Sequence, residues 1–241
     1  MNTPKIQLKN VHKDFYSQNE TLKVLDDINL YASEGEFVSI LGPSGCGKST
    51  IFHILTGLES EYEGSIYIED LPLKEWNKKM CYMHQKDLLM PWRTLIKNVL
   101  LPLEIQGMKK AEAERKVKEL LPVFGLEGFE NAYPNELSGG MRQRAALLRT
   151  ILIDSDILLL DEPFGALDAI TRSQMQLWLL EIWEKFKHSV IFVTHDIEEA
   201  IFLSDRVYVL SQRPSTVVAE VTIDFPRSKR EEIRVLPEFL K

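Results

Sequence analysis

The run Gly42-Pro43-Ser44-Gly45-Cys46-Gly47-Lys48-Ser49-Thr50 packs three glycines, a lysine and three hydroxyl side chains into nine residues. Glycines let successive backbone N–H groups curl around anionic oxygens. The pattern G-x-x-x-x-G-K-[ST], read here from Gly42 to Ser49, is one that cradles triphosphate oxygens at a helix N-terminus. In that role Lys48 bridges the β and γ phosphates. Ser49 offers its hydroxyl to Mg²⁺, a hard cation that takes one or two protein ligands beside its waters and phosphate oxygens. A second run, Ile157-Leu158-Leu159-Leu160-Asp161-Glu162-Pro163, delivers two carboxylates at the end of an apolar stretch. Asp161 suits the Mg²⁺ shell and Glu162 suits a general base, because phosphoryl transfer needs an oriented water more than covalent help.

These groups need elements to hold them. Glu36–Leu41 is apolar enough for a strand buried on both faces, so it is expected at the centre of a sheet. After the glycine loop, Ile51, Ile54, Leu55 and Leu58 recur at helical spacing, giving strand, loop and helix in order. Further strands are expected at Lys5–Lys9, Asp27–Tyr31, Ser65–Glu69, Met80–Met83, Ile157–Asp161, Ser189–Thr194, Arg206–Leu210 and Val217–Val221, several separated by helical patterns, as in an α/β fold. Between Leu88 and Leu137 the strand signal fades, and Ala113, Val117, Leu120 and Phe124 mark an amphipathic helix in an inserted helical lobe. Ser138 is placed as the N-cap of a helix running through Leu152. Met175, Leu179, Ile182 and Phe186, flanked by Trp178 and Trp183, read as core packing.

Composition narrows the class. The 241 residues carry a net charge of −7 with both signs mixed along the chain, which argues against a nucleic-acid partner. Cys46 and Cys81 have neither zinc-ligand spacing nor a disulfide framework, and Cys46 fills a variable place in the glycine loop without evidence of a reactive thiol. His12, His53, His84 and His188 read as structural or solvated. No signal peptide, lipid anchor or membrane-spanning run is expected, so any pore must come from another chain. Arg227–Arg234 reads as a solvated mixed-charge tail.

A family resemblance rests on five motifs in order. Leu137-Ser138-Gly139-Gly140-Met141-Arg142-Gln143-Arg144 resembles the signature sequence of ABC ATPases. Around it lie the glycine loop, Gln85 after a strand, the acidic strand followed by Ala166-Leu167-Asp168, and Val193-Thr194-His195-Asp196. The resemblance covers nearly the whole chain. It implies an α/β P-loop NTPase core with a mixed sheet, an antiparallel β subdomain and an inserted helical subdomain. As boundaries it suggests 1–87 and 155–225 for the core, 88–154 for the helical part and 226–241 for a short tail, within one domain.

The resemblance also implies ATP hydrolysis with Mg²⁺, ATP being bound by Gly42, Pro43, Ser44, Gly45, Cys46, Gly47, Lys48, Ser49 and Thr50. Ser138, Gly139 and Gly140 would contact the γ-phosphate of ATP held on a second copy of the chain, again a helix N-terminus meeting an anion. Gln85 would sense Mg²⁺ and the attacking water, His195 would contact the γ-phosphate, and Asp168 would link the two sites. With Lys48, Glu162 and His195 all present, a binding-only relative is disfavoured. Phe15 occupies the place of the family's adenine-stacking aromatic, with Tyr16 as competitor because Ser17–Leu22 reads as a long loop.

Asp87-Leu88-Leu89-Met90-Pro91-Trp92-Arg93-Thr94 lies where the family docks a short helix of its membrane subunit, although Leu88, Leu89 and Trp92 are equally suited to packing the lobe. Together with Gly140-Met141-Arg142-Gln143-Arg144, Asp161–Asp168 and Ser211-Gln212-Arg213-Pro214, this run is similar to the nitrate, sulfonate and taurine importer branch, which also includes ATPases for thiamine-pyrimidine precursors. The expected partners are a second copy, transmembrane permease subunits and, indirectly, a solute-binding protein, at the cytoplasmic face of the cell membrane. A non-transport ABC ATPase is the alternative, but neither a long coiled-coil insertion nor a duplicated domain is seen. Met141 replaces a common glutamine and Met83-His84 an apolar pair, neither a catalytic change. No added regulatory β domain is expected after Val221.

Overall fold

A computed structural model describes residues 4–17, 20–153 and 155–225. The expected tail, 226–241 with Arg227–Arg234, and part of the Ser17–Leu22 loop lie outside those residues. Two sheets are formed. The antiparallel one has the order β2-β1-β4-β5, from β1 (Ile6–Tyr16), β2 (Thr21–Ala32), β4 (Glu63–Ile68) and β5 (Leu71–Pro72). The larger has the order β10-β9-β3-β8-β7-β6, from β3 (Phe37–Leu41), β6 (Cys81–Met83), β7 (Ile157–Asp161), β8 (Ser189–Thr194), β9 (Arg206–Leu210) and β10 (Val217–Thr222). In it β10 runs antiparallel to β9 and every other pairing is parallel.

The period-2 alternation of side chains explains the apolar runs. On β7, Ile157 and Leu159 join the core beneath the antiparallel sheet, whereas Leu158 and Leu160 join the core on the helical side. On β8, Ile191 and Val193 face the first core, Val190 and Phe192 the second. A sheet with both faces covered has no polar side to alternate. Phe192 lies between Phe37 and Phe164, ring centroids 5.9 and 6.0 Å away, so the strands that end at the glycine and acidic loops rest on one aromatic stack.

Helices α1 (Lys48–Leu55), α2 (Leu95–Ile105), α3 (Lys110–Leu120), α4 (Gly139–Ile151), α5 (Ala169–Phe186) and α6 (Ile197–Leu203) fill the rest. Ser138 is the N-cap of α4, its hydroxyl accepting from the Met141 N–H at 3.2 Å. Two expected helices end earlier than their apolar pattern. α1 stops at Leu55, leaving Leu58 exposed, and α3 stops at Leu120, so that Phe124 reaches the core from a turn after Pro122. Conversely β1 and β2 run longer than expected. Register shifts between Leu8 and Val11, and again at Lys13, break the alternation, while Asn10 and Asp27 adopt positive φ of 49° and 54°.

The segment after Gln85 is shaped by a buried side chain. Asn98 on α2, fully buried, accepts from the Met90 N–H (2.7 Å) through Oδ1, and its amide donates to the carbonyls of Met90, Arg93 and Thr94 at 3.0–3.1 Å. One amide thereby satisfies a turn of backbone that no helix or strand would pair. Asn98→Ala is expected to lower unfolding free energy by about 2 kcal/mol, the cost of leaving buried groups unpaired. Urea denaturation checks this, and an unchanged midpoint and slope would contradict the assigned role.

Candidate functional site

The glycine loop connects the end of β3 to α1, at the edge of the sheet where parallel strands present their C-terminal ends. Gly47 has φ of +116°, and a Cβ there would lie 2.8 Å from Leu25 and 2.9 Å from Val24, so neither the backbone turn nor the close approach of β2 tolerates a side chain. The Lys48 ammonium is buried against its own loop, donating to the carbonyl oxygens of Gly42 (2.8 Å) and Pro43 (3.0 Å). The loop's carbonyls are thus turned to the lysine at the start of α1.

Beside it, β7 ends in the two carboxylates. Asp161 is 6 % exposed. Its Oδ1 accepts from the Ser49 hydroxyl at 3.2 Å and its Oδ2 from the Tyr82 hydroxyl at 3.1 Å. Burial raises the Asp161 pKa, opposed by those two hydrogen bonds. Burial and the neighbouring Asp161 charge raise the Tyr82 phenol in turn.

Glu162 leaves the strand with φ of 43°, its N–H donating to the Val193 carbonyl of β8 and its own carbonyl accepting from Gly165. That turn separates the two adjacent carboxylates. The Glu162 carboxylate, 15 % exposed, lies 3.5 Å from Lys48 Nζ. Its Oε2 accepts from Gln85 Nε2 at 3.2 Å and lies 3.2 Å from His195 Nδ1. Three other segments therefore converge on the acid that follows β7: the glycine loop, the segment after β6 and the turn after β8.

The remaining expected residues form a second cluster. A Cβ on Gly139 would lie 3.2 Å from Leu167 Cδ2 and one on Gly140 3.2 Å from Thr171 Cγ2, so glycines let the start of α4 abut residues 167–171. Asp168 caps α5, its Oδ1 accepting from the Thr171 (3.0 Å) and Ile170 (3.1 Å) N–H groups, and the bonds to Thr171 pull its carboxyl below the usual range. Among the described residues, the contacts of Ser138, Gly139 and Gly140 run to this neighbourhood and to their own helix, not to the glycine loop of the same chain.

Phe15, one residue before the end of β1, is 39 % exposed with the Lys13 ammonium 4.6 Å from its ring centroid; Tyr16, which ends the strand, is 74 % exposed. Of the three apolar residues weighed after Gln85, Leu89 is buried while Leu88 and Trp92 are exposed.

Reasoning from sequence missed three groups. Tyr82 alternates with the buried Cys81 and Met83 on β6, and that parity was the available signal. Arg149 donates to the carbonyls of Asp87 (2.6 Å) and Leu88 (2.8 Å), and Arg142 lies 3.3 Å from the Asp87 carboxylate. Glu199 accepts from Thr194 (2.7 Å) and Gln176 (3.0 Å), tying α5 to the turn that carries His195. Contacts between elements so distant in sequence leave no local pattern.

Known proteins share this arrangement. The profile of the ABC transporter family matches residues 25–165. The chain is 45 % identical to an aliphatic sulfonates import ATP-binding protein of Bacillus cereus, covering 94 % of this chain and 90 % of that protein. It is likewise 45 % identical to a formylaminopyrimidine import ATP-binding protein of Halalkalibacterium halodurans, over 86 % of this chain and 81 % of the other. Among solved structures, an ATP-binding cassette captured as a dimer in a post-hydrolysis state with ADP and Pi superposes with a TM-score of 0.78 at 34 % identity, over 92 % of this chain and all of that one. With its glycine loop, acidic strand and capped signature helix carried on this fold, the chain belongs to the ABC transporter family.

Proposed function

We propose that this chain is the ATP-binding and ATP-hydrolysing subunit of an importer, a motor whose closure around nucleotide drives uptake of a small solute through separate permease subunits. One observation carries the reading: a single half-enclosed carboxylate, Glu162, lies beside the glycine loop within reach of Lys48, Gln85 and His195. A base of that kind needs an acceptor held near its water and groups that fix its direction, and those neighbours supply both.

In the working complex the loop from Gly42 to Thr50 holds the phosphates through backbone N–H groups and the start of α1. Lys48 exchanges the carbonyls of Gly42 and Pro43 for β- and γ-phosphate oxygens. Glu162 takes the proton of the attacking water, while Gln85 and His195 orient that water and the γ-phosphate. Phe15 stacks on adenine, its ring held 4.6 Å from the Lys13 ammonium, whereas Tyr16 is more exposed. Ser49, Asp161 and the Gln85 amide form an oxygen-only donor set, as Mg²⁺ requires, and the ion would neutralise phosphate charge as it develops.

The active unit is a head-to-tail pair. Ser138, Gly139 and Gly140 start a helix whose N-terminus suits the γ-phosphate on a second copy, with Asp168 beside them linking the two sites. Among the described residues no helix is long and apolar enough to cross a membrane, so the pore is assigned to partner chains and this chain to the cytoplasmic face. Residues 1–87 and 155–225 act as the nucleotide-binding core and 88–154 as the helical part that moves against it. Leu88, 54 % exposed, borders a cavity of about 190 Å³ lined by His84, Leu101, Ile105 and Ala146 among others, where a permease helix would seat. The solute is proposed to be of the sulfonate, taurine or nitrate class, and its selection belongs to the permease and the solute-binding protein.

Glu162→Gln is expected to keep ATP affinity, to cut turnover by about 10²–10⁴-fold, and to accumulate a dimer in Mg-ATP by size-exclusion chromatography. Turnover at the wild-type rate would remove Glu162 as the base. Ser138→Arg is expected to leave nucleotide binding by the monomer intact and to abolish the ATP-dependent dimer, best read in the Glu162→Gln background. Undiminished dimer there would count against the shared site.

A further inference from the structure

We infer that Tyr82 is a positioning residue for the Asp161 carboxylate: its hydroxyl holds Oδ2 in place so that Oδ1 is presented, with the Ser49 hydroxyl, to the divalent cation that accompanies the nucleotide. The inference rests on the ATPase reading above and adds to it a residue outside the family's named motifs.

The geometry divides the two carboxylate oxygens. Ser49 Oγ lies 3.2 Å from Oδ1 and Tyr82 Oη 3.1 Å from Oδ2, from opposite sides of the acid. Strands β6 and β7 run parallel with Tyr82 opposite Leu159, so Asp161 stands two residues further along on the same face. Two residues of strand rise about 6.6 Å, a span that the length of a tyrosine side chain can cover, which is why the hydroxyl meets the carboxylate and not the strand beside it. Phenylalanine at 82 would fill the same space and lack the donor.

The ring has little freedom to wander. It stands edge-on to Phe52 of α1 at 5.7 Å and 80°, lies 6.4 Å from His53, and is 4.0 Å from His84. The side chain is thus wedged between α1, which begins with Lys48 and Ser49, and the edge strand that leads to Gln85. A carboxylate in a metal shell is fixed best by a neutral donor on its outer oxygen, because a cationic donor would compete with the ion for its charge. A phenol meets that requirement, and it stands three residues before the amide that reaches Glu162.

The test compares wild type with Tyr82→Phe and Tyr82→Leu, measuring Mn²⁺ affinity in the presence of ADP by loss of the free-ion EPR signal. ADP affinity and thermal midpoint are measured in parallel in EDTA. For Tyr82→Phe the apparent Mn²⁺ dissociation constant is expected to rise about tenfold, at the lower end for loss of a group that orients a metal ligand. Its ADP affinity in EDTA is expected to be unchanged and its midpoint to move by less than about 5 °C. Saturating Mg²⁺ should restore most of its kcat. Mn²⁺ affinity equal to wild type in Tyr82→Phe, with losses confined to Tyr82→Leu, would assign the ring to packing alone and overturn the inference. Loss of ADP binding in EDTA by Tyr82→Phe would overturn it too, by placing the defect in the loop. Wild-type protein that binds no nucleotide with or without metal would instead bring down the ATPase reading, and this inference with it.

Discussion

Two carboxylates on consecutive residues at the end of a strand buried on both faces are the constraint around which the structure is arranged. Each loses water by its position, and each repels the other. Asp161 faces inward to two hydroxyls, and its raised pKa reflects that the neutral donors compensate only part of the lost solvation. Glu162 turns away through a left-handed residue into a cage of a lysine, an amide and an imidazole. A strained backbone residue at this point is stabilised by its place in the sheet, with the Glu162 N–H bonded to β8 on one side and Gly165 returning to it on the other. The same separation that relieves repulsion gives the two acids different surroundings, and so different chemistry.

The second cluster is stable without nucleotide for an unrelated reason. Ser138 and Asp168 each cap a helix with their own side chain, and glycines let those two helix starts lie against each other. The caps take up one N–H at the start of α4 and two at the start of α5. The start of α4 contacts Leu167, Thr171 and Met175, so within one chain it forms a cluster of its own beside the α5 cap.

How much was legible in the sequence follows from range. The glycine loop, the acidic strand and the Ser138 cap are short motifs whose geometry is set by neighbours within four residues, and the structure holds them where the residues place them. The parallel strands were legible because burial on both faces leaves an apolar run. Boundaries in β1 and β2 were not, since bulges and positive φ at Asn10 and Asp27 interrupt alternation without interrupting the strand. Of the site, Lys48 folding back on Gly42 and Pro43 carries no sequence signature, nor do Arg149 and Glu199, while the strand parity of Tyr82 shows its face but not its partner 79 residues away.

The segment from Gln85 to Leu88 is shared between the two clusters, and its bonds are unequal. Toward the core beyond β6, Gln85 makes one amide-to-carboxylate hydrogen bond with Glu162, at 3.2 Å. Toward α4, Arg149 donates to two carbonyls at 2.6 and 2.8 Å, and Arg142 pairs with Asp87 at 3.3 Å. Three contacts run toward α4, two of them from one guanidinium to backbone carbonyls, against one toward Glu162. A rotation of the helical part against the sheet therefore strains the Gln85–Glu162 contact first, while Asp87 and Leu88 stay with the helix that begins at Ser138. The tie with the fewest contacts in the segment is thus the one that touches Glu162 beside the glycine loop, the point at which a displacement of the exposed Leu88 surface would be felt.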